Sequence, residues 1–524
     1  MNREIAITKI KDTTINWDVV VIGGGASGLG VALDASSRGY KTLLLESYDF
    51  AKGTSSKSTK LVHGGVRYLA QGDISLVLEA LRERGRLKFN APHLFENRKF
   101  IIPNYRWWGG TFYTVGLKMY DKMSGKLGLG PSQHISKEEV MRYIPNLIEE
   151  DLRGGVIYHD GQFDDSRLAI NLAQSINDNG GTVANYIEVK SLLKDADELI
   201  IGLTAFDKEA NETYTIRTKT VVNATGVFVD SILKMDTKTH KEIVMPSQGV
   251  HLVLPKAFLP SDYAIMIPKT SDGRVLFAVP WHDKVILGTT DTPREKPEIE
   301  PQALAEEIDF ILETASGYLV KPPTRKDVLS VFAGLRPLAA VPKEEGKEVA
   351  SKEVSRSHKI MVSLSGLITI IGGKWTTYRQ MGEDVVSKIP MLAGIDEREC
   401  VTCSTHIHGA ARDLDFSKHW HVYGSDLPEI QKMIAENPEL GKELHPDLPY
   451  TQAEVIWAIR HEMARTIEDV LARRTRALFL DARVSVKMAP KVAVLMANEL
   501  GYSNDWKTNQ INQFKELAKG YILD

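Results

Sequence analysis

Cysteine is scarce: two residues in 524 cannot build a disulfide framework, and such usage fits a reducing compartment. Long apolar runs are missing as well. No stretch approaches the roughly 18 apolar residues of a membrane-spanning helix, so any membrane contact would be peripheral. Charge of one sign is lacking: a net charge of −3 argues against a general nucleic-acid binder. In the polar start Met1-Asn2-Arg3-Glu4 no secretory signal is visible, and none is expected. Internal repeats and low-complexity tracts are absent. The remaining composition, 43% hydrophobic and 25% charged, is that of an ordinary globular chain too long for one core, so two or three domains are expected.

What is present begins at Val19-Val20-Val21-Ile22-Gly23-Gly24-Gly25-Ala26-Ser27-Gly28. Four apolar residues read as a buried strand, and Gly-x-Gly-x-x-Gly reads as a tight turn into a helix packed through Leu29, Ala32, Leu33 and Ala35. Gly23 permits the turn, Gly25 lets a pyrophosphate approach the backbone, and Gly28 lets helix and strand pack closely. The helix N-terminus, at Ala26 and Ser27, offers N–H groups and a partial positive charge. Lys41 to Glu46 reads as a second strand whose terminal carboxylate can accept hydrogen bonds from a ribose. Together these features imply a bound dinucleotide. The position at the N-terminus suits FAD, and no second such module is visible for a nicotinamide cofactor.

Two later apolar stretches, Thr220 to Gly226 and Leu364 to Ile371, read as further strands of the same discontinuous sheet. The second leads through Gly372-Gly373-Lys374 into a helix with Tyr378, Met381, Val385 and Val386 at helical spacing. From Gly249 to Thr289 the period is that of β-structure, with runs at 251–254, 264–268, 275–279 and 285–288 expected as an antiparallel meander facing the substrate. Beyond about residue 391 the pattern is helical. Thr451-x-x-Glu454 is a capping box opening a helix expected through Val455, Ile459, Met463, Ile467 and Val470. Arg473-Arg474-Thr475-Arg476 reads as a solvated face or salt-bridge set.

The loop from Gly53 to Ser58, with His63-Gly64-Gly65-Val66-Arg67-Tyr68, is dense in glycines and small hydroxyls. It reads either as an ordinary flexible loop or as a source of donors for a flavin. Gly372-Gly373-Lys374 reads either as a plain strand–helix turn or as a helix dipole plus lysine stabilising a reduced flavin edge. Cys400-Val401-Thr402-Cys403, followed by His406 and His408, has the spacing of a redox pair or half a zinc site. It lacks a second ligand pair and a βαβ context, so no metal is expected.

The motifs of residues 22–28, Asp34, Arg38-Gly39, 63–69 and 223–226 together resemble the FAD-dependent, respiratory glycerol-3-phosphate dehydrogenases. So do Gly334-Leu335-Arg336-Pro337-Leu338 and Gly372 to Arg379, all in matching order from residue 17 to about 390. Arg460-His461-Glu462 and Leu471 to Arg476 resemble that family's helical domain. Leu29 stands where a smaller residue is usual and Gly382 where alanine is.

The resemblance implies a mixed α/β fold: a discontinuous Rossmann-like FAD-binding domain of the glutathione-reductase/D-amino-acid-oxidase type (1–75, 150–230 and 355–390). It adds an antiparallel-sheet substrate domain (76–149 and 231–354) and a C-terminal helical domain (391–524). It implies that Glu46 holds the ribose and that Gly23, Gly25, Ala26, Ser27 and Gly28 hold the pyrophosphate. Ser55, Ser56, His63, Gly64 and Gly65 would line the flavin, as would Ala224, Gly226, Gly373, Lys374 and Thr376. Substrate contacts would come from Arg67, Tyr68, His251, Arg336, Arg356 and Lys374.

Several cations suit a phosphate monoester, nearly a dianion at neutral pH, because guanidinium forks match its oxygens. The implied reaction takes a hydride from C2 of sn-glycerol 3-phosphate to FAD N5, giving dihydroxyacetone phosphate. Arg336 and Lys374 would stabilise charge on O2. His251, with a pKa suited to neutral pH, or a nearby water would be the base. The expected acceptor is ubiquinone or menaquinone, with oxygen (an oxidase) and an amine or amino-acid oxidase as alternatives. Residues 82–126 hold ten lysines or arginines against three acids, interleaved with Trp107, Trp108, Phe112, Tyr113 and Tyr120. That mix reads either as a helical cap or as a surface docking peripherally on the inner, cytoplasmic membrane face. A homodimer is implied by the resemblance only.

Overall fold

The computed structural model describes residues 1–65, 73–105, 109–268, 270, 273–339 and 358–523, without the side chains of 109–115 and 126. At its centre lies a six-stranded sheet with the order Lys359–Val362, Ile368–Ile371, Val221–Asn223, Val19–Ile22, Thr42–Leu45, Thr182–Ala184. All neighbours are parallel except the Lys359–Val362 edge. Val19–Ile22 and Thr42–Leu45 are buried on both faces, which is why they read as unbroken apolar runs. The Ala26–Ser37 and Tyr378–Val386 helices pack against each other with nearly touching backbones: a Cβ on Gly30 would lie 2.5 Å from the Tyr378 carbonyl oxygen. Residues 364–371 are only partly strand. Gly366, at φ +87°, makes the turn of a hairpin, and Leu364 is fully exposed at its tip.

A second, ten-stranded sheet is mainly antiparallel, its path running through Val244–Pro255, Lys284–Gly288, Leu276–Trp281, Ala264–Ile267, Phe95–Pro103, Gly155–Phe163 and Leu61–Val62. The expected meander is corrected: the strand at 244–255 pairs with 284–288, not with 264–267, which pairs instead with 276–281 and 95–103. Leu61–Val62 and Gly155–Phe163, expected in the FAD-binding part, also belong to this sheet. Neither local period nor turn chemistry specifies which non-local edge a strand will choose.

Beyond residue 391 helices predominate, and their apolar faces share a core with Val253, Trp281, Ile286 and Phe332 of the second sheet. The capping box forms, the Thr451 N–H donating to Glu454 at 2.7 Å. The helix it opens stops at His461, because Met463 takes a left-handed backbone (φ +54°), and a separate helical turn covers Asp469–Arg474.

The arginine cluster is a salt-bridge set, and it is buried. Asp49, directly behind the second strand, is wholly enclosed and receives Arg474 at 2.8 and 2.9 Å and Arg473 Nε at 2.5 Å. Arg476 meets Asp165 at 3.0 Å, and Glu462 takes both terminal nitrogens of Arg167 at 2.8 and 2.9 Å. Burial opposes ionisation of Asp49, but the two guanidinium groups outweigh it and hold the carboxyl down at about 2. Asp49→Ala takes from buried Arg474 the carboxylate that both its terminal nitrogens meet, and from Arg473 one of three, and is expected to destabilise the protein by about 3–5 kcal/mol, measured by urea denaturation. Because the folded pKa is depressed, this contribution is present above the ordinary value of 3.8 and is lost as pH falls toward about 2. Asp49→Ala should therefore flatten the acid limb of the stability profile.

Candidate active site

The carboxyl ends of the parallel strands converge at Gly23, Glu46, Ala224 and Gly372, and there a cleft of about 650 Å³ opens. Ligands of doubly wound sheets bind in this crevice because helix N-termini and strand ends point into it. Gly23 holds φ +110°, and a Cβ on it would lie 2.7 Å from the Ala224 carbonyl oxygen. Gly28 packs on the turn behind the cleft; its Cβ would fall 1.9 Å from the Gly23 oxygen. At the start of the following helix no side chain of residue 25 caps the N–H groups; the Ala26 N–H donates to Ser55 Oγ at 2.9 Å. Glu46 accepts from the Gly24 N–H at 2.6 Å and the Tyr48 N–H at 2.8 Å, leaving lone pairs on both oxygens. Burial pushes its carboxyl up.

Of the anticipated cofactor residues, Gly23, Gly25, Ala26, Ser27, Glu46, Ser55, His63, Ala224, Gly226, Gly373, Lys374 and Thr376 line the cleft. Gly28, Ser56, Gly64 and Gly65 are not on its wall. Ser56 is buried, and its carbonyl accepts from Lys60 at 2.6 Å and Arg476 at 3.1 Å. The Gly64 N–H donates to the Tyr120 hydroxyl at 2.8 Å. Arg67, Tyr68 and Arg356 lie outside the described residues.

His251 and Arg336 reach the same cleft from the second sheet. Their strands pair with Ser247 opposite Arg336 and His251 opposite Phe332. The Arg336 guanidinium donates to Asp291, to the Gln248 carbonyl and to Thr289 Oγ, each at 3.3 Å. Two glycines make the space: a Cβ on Gly249 would lie 2.5 Å from that guanidinium, and one on Gly288 would lie 2.2 Å from the His251 ring. The imidazole stacks on Phe332 with ring centroids 4.9 Å apart, and Nε2 hydrogen-bonds Thr59 Oγ at 2.9 Å. Its expected neutral-range pKa is corrected. Burial first, then the nearby Lys60 and Arg336 charges, hold it well below 6.5, so the ring is uncharged.

Thr59 was one residue beyond the stretch singled out from sequence, although the hydroxyl density of 54–58 was the signal for it. Asp291 and Thr289 were also missed, and nothing local marks them. Trp375, within the Gly372 to Arg379 motif, was given no role; its indole N–H donates to the Ser55 carbonyl at 2.8 Å, tying the two loops together.

The glycine-walled turn, the helix start without an N-cap side chain and the acceptor at Glu46 fit a dinucleotide. Residues 18–379 match the FAD dependent oxidoreductase family, and residues 368–507 match the C-terminal domain of alpha-glycerophosphate oxidase. The chain is 38% identical over 583 residues to the mitochondrial glycerol-3-phosphate dehydrogenase of Schizosaccharomyces pombe, covering 99% of this chain and 89% of that protein. It is 37% identical over 550 residues to the Homo sapiens protein of that name, covering 98% and 75%. Among solved structures, the glycerol-3-phosphate dehydrogenase of Bacillus halodurans complexed with FAD superposes with a TM-score of 0.79 at 29% identity, covering 99% of this chain and 97% of that one. The FAD-bound L-alpha-glycerophosphate oxidase of Mycoplasma pneumoniae shares the fold, with a TM-score of 0.56 at 16% identity over 75% of this chain and 98% of that one.

Gly28→Ala drives a methyl onto the Gly23 carbonyl and so deforms the turn that lines the cleft. The variant is expected to purify without visible flavin absorbance while keeping its far-UV circular dichroism.

Proposed function

The chain belongs to the FAD-dependent glycerol-3-phosphate dehydrogenases, and from that membership we propose that it oxidises sn-glycerol 3-phosphate to dihydroxyacetone phosphate. The observation that carries the reading is that Arg336 and His251, from the second sheet, and Lys374, from the loop after the Ile368–Ile371 strand of the first, line the cleft that also holds the glycine turn. FAD, when bound, supplies the hydride acceptor. The protein's own work is to bind, orient and deprotonate. Arg336 and Lys374 suit the phosphate and the developing charge on O2, and Arg67, Tyr68 and Arg356 are further substrate contacts in this reading. Thr59 holds Nε2 of His251 and so fixes the ring plane. An uncharged imidazole can take the C2 hydroxyl proton. A dianion bound beside it opposes the Lys60 and Arg336 charges and makes it a better base.

Electrons then pass to a membrane quinone, ubiquinone or menaquinone, with the protein attached peripherally to the inner face of the cytoplasmic membrane. Among the described residues no helix is long and apolar enough to cross a membrane. Attachment is supported by the Ile74–Asn90 and Gly109–Ser124 helices and the turn after them. These expose Ile74, Phe89, Met119 and Leu127 together with Arg82, Lys88, Lys118 and Lys122. Other parts of the basic segment are interior: Tyr120 is buried, and Arg84 pairs with Asp160 at 2.7 Å. The side chains of Trp107, Trp108, Phe112 and Tyr113 lie outside the described residues. A homodimer is part of the same proposal.

Anaerobic sn-glycerol 3-phosphate is expected to bleach the bound flavin, and a protein that stays yellow overturns the reading. Stoichiometric peroxide without added quinone would assign oxygen as the acceptor. Arg336→Ala should lower kcat/KM by about 10²–10³-fold, and Arg336→Lys should restore little, since a point charge lacks the guanidinium fork. Co-sedimentation with anionic vesicles should occur at low salt and fail at high salt; protein that stays soluble throughout excludes attachment.

A further inference from the structure

The chain's two cysteines do not line the cleft, yet they lie together beside two helices that reach it. The Sγ atoms of Cys400 and Cys403 and a carboxylate oxygen of Glu383 are all within 4.8 Å of one another, and both thiols are partly exposed. The turn they flank is held by three helices. Asp34, on the Ala26–Ser37 helix, accepts from Cys400 Sγ at 3.0 Å and from the Thr402 hydroxyl at 2.8 Å. Arg379, on the Tyr378–Val386 helix, reaches the Thr402 hydroxyl at 3.3 Å and Cys400 Sγ at 3.7 Å. Asn90, ending the Ile74–Asn90 helix, donates to the Thr402 carbonyl at 2.9 Å. Asp34 lies in the last turn of the first helix and Arg379 in the first turn of the second, and both helices also reach the cleft, through Ala26 and Ser27 and through Met381.

We propose that Cys400 and Cys403 form a thiol–disulfide modification site, closed by a small-molecule disulfide and coupled to cofactor retention through Asp34 and Arg379. The Cys403 thiolate attacks the small disulfide, forming a mixed disulfide and releasing one thiolate. The Cys400 sulfur, its proton passing to solvent, then attacks the Cys403 sulfur and releases the second. The protein loses two hydrogens and two electrons, and the small disulfide gains them as two thiols. Cys403 attacks first, because the Cys400 S–H is held by Asp34 at 3.0 Å. Burial and the Asp34 bond push the Cys400 thiol up to about 11. Closure removes the S–H that Cys400 gives Asp34 and so weakens the hold on the turn. A bound metal ion is disfavoured by the same geometry. The Arg379 guanidinium sits 2.7 Å from Glu383 and 2.7–2.9 Å from Gln380 and Glu83, a fixed cation where a second would have to enter.

The test uses the flavin-loaded protein incubated with oxidised glutathione and then freed of it. Both titratable thiols should disappear, the intact mass should fall by two hydrogens, and dithiothreitol should reverse both changes. Cys400→Ser should stop at one glutathione adduct, and Cys403→Ser should stay reduced. The temperature of flavin release, read by fluorescence, should drop for the oxidised wild type and not for Cys403→Ser. Persistence of both thiols, two separate adducts, one zinc per chain blocking oxidation, or an unchanged release temperature would each overturn the proposal. The flavin coupling rests on the cofactor reading above. Thiol closure is measurable without it, so a colourless protein that still closes the disulfide separates the two failures.

Discussion

A set of buried ion pairs fixes the C-terminal segment against the rest of the chain. Asp49, Asp165 and Glu462 have no access to water, and each is met by an arginine donor within about 3 Å. In such surroundings a single missing partner leaves an uncompensated charge, so the network tolerates one arrangement of the three chain regions that supply it. The same network reaches the cleft. Lys60, wholly buried, donates to Asp165 and to the Ser56 carbonyl, each at 2.6 Å, while Lys52 and Lys57 share Glu300. The 52–60 loop, which brings Ser55 and Thr59 to the cleft wall, is therefore anchored by charge more than by apolar packing.

Around that loop the site is built by close approach. Glycines at 23, 28, 249 and 288 each stand where a Cβ would collide with a carbonyl oxygen, the Arg336 guanidinium or the His251 ring. The second sheet adds what the first cannot supply: neighbouring strands in register present a histidine and an arginine at one edge of the cavity. The histidine and the arginine are thus placed by strand pairing, whereas the glycine turn is set by local backbone.

Much of the first sheet was legible from residue order. Val19–Ile22 lies on both-face-buried backbone, Gly23 to Gly28 carry the turn, and Glu46 directly follows the next strand, all through short-range sterics. The capping box at Thr451 was legible for the same reason. The helix beyond it was not: apolar spacing continues through Ile467 and Val470, but the chain breaks at Met463 to bring Glu462 onto Arg167 and Arg474. A long-range ion pair overrode a local period there. His251 shows the same divide, since its position was readable but its lowered basicity arises from burial and from Lys60 and Arg336, far away in sequence.

The sequence by itself determined the dinucleotide turn, its strands and the family to which the chain belongs, because each is written in consecutive residues constrained by sterics. The tertiary structure alone decided the order of strands in the second sheet and the burial of Arg473, Arg474 and Arg476. It also decided the placing of Cys400 beside Asp34 and the electrostatic state of His251. These depend on desolvation and on contacts between segments hundreds of residues apart, quantities that no local pattern of residues encodes.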